Sequence, residues 1–367
     1  MPLIDRRSIQ NFDWVFAGTV AILLCAGLAN LYSATHADAG GLAPEMRRQL
    51  AVLGVGSGAL LVVLAVDYRR LERLAVPIYL GMLALLGFTL LVAPVTRGSQ
   101  SWLVYGPFRL QPSELAKIAL VIAMARFFHR QSGGPRRLRD MAVPAAIAAL
   151  PVGLILLQRD MGVALLTLLV AATYVPFLRI PRRAWLGIGA AGVATLAGLW
   201  FFALQGYQRS RILDFIDPAR DPLASGYQAI QSRIAVGSGG LFGKGWLEGT
   251  QTQLRFLPTQ HTDFIFSVFA EEWGLVGSGI LLGLYLFMLL WGLWIARNSR
   301  DTFGLMLAVG LVGCLFWPAA INIAMVLGLA PVIGVPLPLF SYGGSALLAA
   351  LLCVGLLLNV SMRRYMF

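Results

Sequence analysis

Three carboxylates stand at the start of a long apolar run in a chain of 367 residues, 58% of them apolar: Asp263, Glu271 and Glu272 in LPTQHTDFIFSVFAEEWG, residues 257–274. An acid at a helix start is favoured by the free backbone N–H groups and the helix dipole, so Asp263 reads as a cap or as a general base. At about 100° per residue, Glu271 lies about 80° round from Asp263 and Glu272 lies opposite, so Glu271 is the one that can share its cavity. A second constellation is QPSELAK, residues 111–117. Pro112 suits the first helical position and Glu114 the first turn, and Glu114 and Lys117, three apart, face each other as an ion pair or as a functional pair inside a span. Arg109 lies just before this helix, and with Lys117 it offers two cations for an anionic group such as phosphate. LLQRDMG, residues 156–162, sets Arg159 and Asp160 in a minimal loop, where a local ion pair and a site role stand level.

Other signals exclude chemistry. The glycine-rich VGSGGLFGKG, residues 236–245, lacks the first glycine and the Ser or Thr after Lys244 that a phosphate-binding P-loop needs, so it reads as a flexible turn whose N–H groups could meet an anion. Cys25, Cys314 and Cys353 all lie in apolar runs, and His36, His129 and His261 show no metal-ligand spacing. PLPLFSYGGSA, residues 336–346, mixes prolines and glycines ahead of the last apolar run, and irregular backbone at that depth is tolerated only when buried in protein or facing water.

The elements that must position these residues are membrane helices. About 20 apolar residues span a bilayer, and that window predicts an all-α integral membrane protein of ten spans in one domain, residues 1–367. The spans are 12–33, 48–66, 75–94, 112–128, 142–157, 161–178, 184–204, 264–296, 303–328 and 343–362. The first run, with Arg6 and Arg7 ahead of it, has some character of a signal peptide and reads equally well as a span. Sixteen Lys and Arg residues fall at the N-terminus, the C-terminus and in every second loop, against five in the alternate short loops, so both termini are expected in the cytoplasm. The same clustering between apolar runs explains the net charge of +12 without nucleic acid.

Residues 205–263 form an outer segment too long for a turn, within which Ser225, Gln228 and the helical spacing of Tyr227, Ile230 and Ile234 predict a short amphipathic helix on the membrane surface. The eighth span exceeds what the roughly 30 Å hydrocarbon core requires. Its first turns, with the carboxylates, must protrude outward or line a wet cavity.

QPSELAK, LLQRDMG, GYQAIQSRIAVGSGGLFGKG, FLPTQHTDFIFSVFAEEWG and GVPLPLFSYGGS, in this order from residue 111 to 345, resemble the SEDS family (shape, elongation, division and sporulation) of ten-span bacterial proteins. The short N-terminus resembles the elongation branch more than the division branch. The resemblance implies a peptidoglycan glycosyltransferase that polymerises lipid II outside the cytoplasmic membrane and releases undecaprenyl pyrophosphate. It places the family's essential acid on Asp263, makes Glu114 and Lys117 required, and adds Arg109, Gln111 and Asp160 near the cavity. A class B penicillin-binding protein with transpeptidase activity is the implied partner, and Gly27, Gly310, Gly313 and Gly328 are candidate seats for its helix. This chain reads Pro258-Thr259 where a Pro-Glu is commoner, so a role for a carboxylate there is absent.

The reaction needs a base for the acceptor hydroxyl and charge stabilisation for pyrophosphate, which leaves already ionised, so one carboxylate plus cations suffices. Arg109, Lys117 or a divalent cation, magnesium or manganese, can steady the pyrophosphate, and no nucleotide is required. A lipid flippase and a scaffold for another synthase are the rival readings.

Overall fold

The computed structural model describes residues 10–36, 42–96, 98–106, 108–131, 138–178, 225–254 and 256–364, with the isolated positions 189, 192, 213 and 215. Among them the helices are α1 (Trp14–His36), α2 (Pro44–Ala65), α3 (Tyr68–Val92), α4 (Pro112–Arg130), α5 (Ala142–Leu157), α6 (Met161–Ala172), α7 (Ser225–Ser238), α8 (Thr250–Gln253), α9 (Ile265–Arg297), α10 (Thr302–Val326) and α11 (Gly344–Met362). Six of these (α1, α2, α3, α9, α10 and α11) are long and apolar enough to cross a membrane. With α4 and the shorter α5 and α6 they match nine of the ten expected spans. The span expected at 184–204 and the outer segment before residue 225 lie outside the described residues.

Short connections make sequential helices run back and forth, so every span end belongs to one of two faces of the bundle. Asp67 accepts from Arg69 N at 2.9 Å as the cap of α3, and Asp301 accepts from Gly304 N as the cap of α10. Tyr68 Oη also donates to Asp301 at 2.8 Å, joining those helix starts on one face. The opposite face carries the ends of α1 and α3, the starts of α4 and α9, and a small antiparallel hairpin, β1 (Leu103–Tyr105) with β2 (Phe108–Leu110), the one sheet among the described residues.

α4 and α10 form the buried centre. Ala125, Leu120 and Val121 on α4 and Leu307, Ala308 and Leu311 on α10 are fully enclosed, whereas α2, α3 and the outer part of α9 leave Val55, Leu61, Leu91 and Leu275 exposed, as lipid-facing helices do. A side chain on Gly27 would meet the Phe340 backbone, one on Gly310 the Tyr174 ring, one on Gly313 the Thr173 side chain, and one on Gly328 the Arg233 side chain. These four glycines admit close packing within the chain, so they are not free seats for a partner's helix.

The 33-residue α9 is broken at Gly274, which has φ 66° and ψ −164°. A break strands main-chain groups that need partners in a water-poor setting. The glycine-rich segment supplies them: Lys244 N and Gly245 N donate to the carbonyls of Glu271 and Glu272 at 3.0 and 3.1 Å, and Leu275 N and Val276 N donate to the carbonyls of Gly240 and Leu241 at 2.9 and 3.0 Å. Residues 236–245 are therefore a fitted backbone patch and not the flexible turn the sequence suggested. Helix α7 forms where periodicity placed one, and it docks on the protein: Ser232 Oγ lies 2.8 Å from Ser267 Oγ on α9 and donates to Val326 O at the end of α10. Its other face, with Arg233 and Ile234, is exposed.

Candidate active site

Asp263 ends a turn that runs into α9 and is half-buried, while every residue from Phe264 to Glu272 is buried. The N-cap position is Phe264, so Asp263 stands one residue outside the helix, beside its first, unpaired backbone N–H groups. Asn322, buried in the otherwise apolar α10, fixes this turn. Its Nδ2 donates to the carbonyls of Asp263 and Val335, both at 2.7 Å. Tyr342 N donates to His261 O at 3.0 Å from the other end of the same loop.

Residues 330–345, between α10 and α11, are where the motifs meet. Gly334 lies against Asp263, since a Cβ there would be 3.6 Å from Asp263 Oδ2. Ile333 packs on Gly162 at the start of α6. Ser345 Oγ accepts from Gln111 N at 2.8 Å and donates to Arg109 O at 3.4 Å. Val335, Pro336 and Pro338, with Cys314 and Cys353, wall a cavity of about 30 Å³ over Glu114 and Lys117, room for about one water.

Within this frame the expected residues form one buried pair and one partly buried pair. Lys117 Nζ donates to both carboxylate oxygens of Glu114 at 2.9 and 3.0 Å, with both side chains almost fully enclosed. Gln111 Nε2 donates to Asp160 Oδ2 at 2.7 Å, and Asp160 Oδ1 accepts from Val163 N to cap α6. Burial pushes the Asp160 carboxyl above its ordinary value, against the opposing effect of its hydrogen bonds from Val163, Ser101 and Gln111. Arg109 is exposed on β2. Lys117 already satisfies Glu114, so Arg109 is the more available of the two expected cations.

Glu271 is placed differently from the expectation that it shares a cavity with Asp263. It is fully buried, and all its donors come from the outer segment: Lys244 Nζ at 2.7 Å, Gln251 N at 2.9 Å, Thr252 N and Oγ1 at 3.2 and 3.0 Å, and Thr250 Oγ1 at 3.3 Å. A carboxylate so engaged caps α8 and latches the outer segment to α9. Angle about a helix axis could not foresee this, because the partners arrive from residues 244–252. Glu272 accepts from Ser33 Oγ on α1. Sequence reasoning passed over Ser33 and Asn322, and also Asn30, whose Nδ2 donates to Ile265 O at 2.9 Å. A polar residue inside an apolar run was the available signal for each.

The description "cell cycle protein" of FtsW, RodA and SpoVE matches residues 13–366. The chain belongs to the FtsW/RodA/SpoVE family. This bears out the SEDS resemblance read from the motifs. The chain is 42% identical to peptidoglycan glycosyltransferase MrdB of Escherichia coli K12 over 95% of its own length and 92% of that protein. Among solved structures it is similar to a chain of a peptidoglycan synthase complex that coordinates polymerization and crosslinking, with a TM-score of 0.81 and 35% identity over 97% of this chain and 99% of that one. It is also similar to the rod shape determining protein RodA of Thermus thermophilus, with a TM-score of 0.72 and 33% identity over 97% and 98% of the two chains. As an FtsW/RodA/SpoVE protein it is a multi-pass membrane protein, and the helices around Asp263, Glu114 and Lys117 are those that its relatives share as a fold.

Proposed function

We infer that this chain is a peptidoglycan glycosyltransferase that polymerises lipid II into glycan strands during cell elongation and releases undecaprenyl pyrophosphate. The observation that carries the reading to particular residues is the convergence of three separated motifs, residues 109–117, Gly162 and the turn ending at Asp263, on residues 330–345, with the half-buried Asp263 against Gly334. Asp263 accepts the proton of the acceptor hydroxyl as that oxygen forms the new glycosidic bond, while the bond from the donor sugar carbon to the pyrophosphate oxygen breaks. Arg109 meets the charge that collects on the leaving group. Gln111 and Asp160 hold the start of α4 to the start of α6, and the Glu114–Lys117 pair gives the wall of the site a fixed field.

Among the described residues no three His, Cys, Asp or Glu side chains converge as a resident metal site. A divalent ion, magnesium or manganese, would therefore come with the pyrophosphate and take Asp263 as a protein ligand, in the manner of cations held by one carboxylate and substrate phosphates. No step above depends on it. The Lys and Arg asymmetry supports a reading in which both termini and the Tyr68–Asp301 face lie in the cytoplasm and Asp263 lies outside. A class B penicillin-binding protein is the proposed partner, supported by the likeness to a synthase complex that couples polymerization to crosslinking.

The test is to add lipid II to the purified protein, with and without that partner, and to resolve the products by size. Glycan strands are expected, whereas a flippase or a scaffold yields none.

A further inference from the structure

Away from Asp263, a cavity of about 330 Å³ opens between α3, α4 and α5, near the end of the bundle that holds Arg130 and the start of α3. Its walls are apolar: Val76 and Tyr79 from α3, Ala123 and Phe127 from α4, and Ile147 from α5. The Tyr79 hydroxyl is spent on Ile147 O at 2.9 Å, so the ring adds an apolar surface to the chamber. Two arginines, Arg126 and Arg130, line the same cavity.

Local structure explains why one arginine is held there. Pro77 sits inside α3 and has no N–H, so the carbonyl of Arg73, four residues earlier, loses its helical donor. Arg126 Nη1 makes a long contact of 3.5 Å to that carbonyl. A guanidinium has five N–H groups, and one neutral carbonyl leaves most of them unused. Among the described residues neither Arg126 nor Arg130 pairs with a carboxylate; the nearby Glu72 meets His129 instead, at 3.8 Å.

An apolar chamber with two uncompensated arginines, at the face richest in Lys and Arg, matches one kind of molecule: an acyl chain attached to an anionic headgroup. We propose that this cavity is a binding site for an anionic phospholipid of the cytoplasmic leaflet, with an acyl chain against Val76, Tyr79 and Phe127 and the phosphate at Arg126 and Arg130. A zwitterionic lipid fits the chamber equally but gains less at the rim. The leaflet rests on the orientation given above. The site itself does not rest on the glycosyltransferase reading, since its readout is lipid binding.

Native mass spectrometry of the full-length protein in detergent, titrated with phosphatidylglycerol or with phosphatidylcholine of the same chains, tests this. Tighter binding of phosphatidylglycerol is expected. Each arginine near an anionic surface contributes about 1 kcal/mol, or about fivefold, so Arg126→Gln with Arg130→Gln should weaken phosphatidylglycerol about 25-fold and leave phosphatidylcholine unchanged. Val76→Trp, at a half-exposed position, keeps both charges and narrows the chamber, so it should weaken both lipids. Equal affinity of the wild type for the two lipids, full phosphatidylglycerol binding by the double variant, or full binding by Val76→Trp would each overturn the assignment.

Discussion

Replacing Gly274 with alanine tests whether the broken α9 and the glycine-rich segment are one built unit. At φ 66° and ψ −164° the residue occupies a region that side chains other than hydrogen avoid, which costs about 1–3 kcal/mol. A Cβ there would collide with Gly243 N and stand 2.7 Å from the Leu241 carbonyl, main-chain atoms that cannot swing aside. Such overpacking adds about 1–3 kcal/mol. The total of about 2–6 kcal/mol is a large share of the roughly 5–15 kcal/mol by which folded proteins are typically stable. Gly279 lies further along α9, where an added methyl group would meet nothing within 4 Å, so Gly279→Ala is the control and should be neutral or mildly stabilising. Thermal unfolding in detergent followed by tryptophan fluorescence, with trypsin cleavage after Lys244 as a local probe, reads both variants. Gly274→Ala should unfold well below the control and lose protection at Lys244, whose Nζ is held by Glu271. Equal midpoints and equal protection would refute the patch.

Further tests address the site. Asn322→Ala leaves the Asp263 and Val335 carbonyls without their donor, at about 1–3 kcal/mol each, and should lower polymerisation more than it lowers the amount of folded protein. Removing one member of the buried Glu114–Lys117 pair should cost about 3–5 kcal/mol, while exchanging the two residues should restore folding without restoring activity; full recovery of activity would make the pair a structural bridge only. Asp160 holds its proton in the folded protein at pH values where the unfolded chain has released it, because its folded value is raised. Stability should therefore fall as pH rises from the ordinary aspartate range through that raised value, and Asp160→Asn should flatten the slope in unfolding midpoints measured across pH.

Much of the helical framework was legible because a bilayer imposes a length and an apolar composition on each span. Nine expected spans overlie described helices, and the i, i+3 relation brought Glu114 to Lys117 as read. The excess length of the eighth span was also legible, and its cause was not. Nothing in local periodicity says that the main chain of Gly240, Leu241, Lys244 and Gly245 pairs with a helix break further along the chain, because the signal is backbone geometry and not a side chain. Glu271 was misplaced for a related reason: helical angle gives direction, whereas its donors come from a loop. Asn30, Asn322 and Ser33 act on main-chain or carboxylate groups far away in sequence, visible beforehand only as polar letters in apolar runs.

The most direct measurement is the yield of glycan strands from lipid II by the purified protein with Asp263 replaced by asparagine, in the absence of any other synthase. Asparagine keeps the size of the side chain and removes its basic oxygen, so the account predicts that the variant folds, still binds lipid II and forms no strands. Strand formation at the wild-type rate would contradict it.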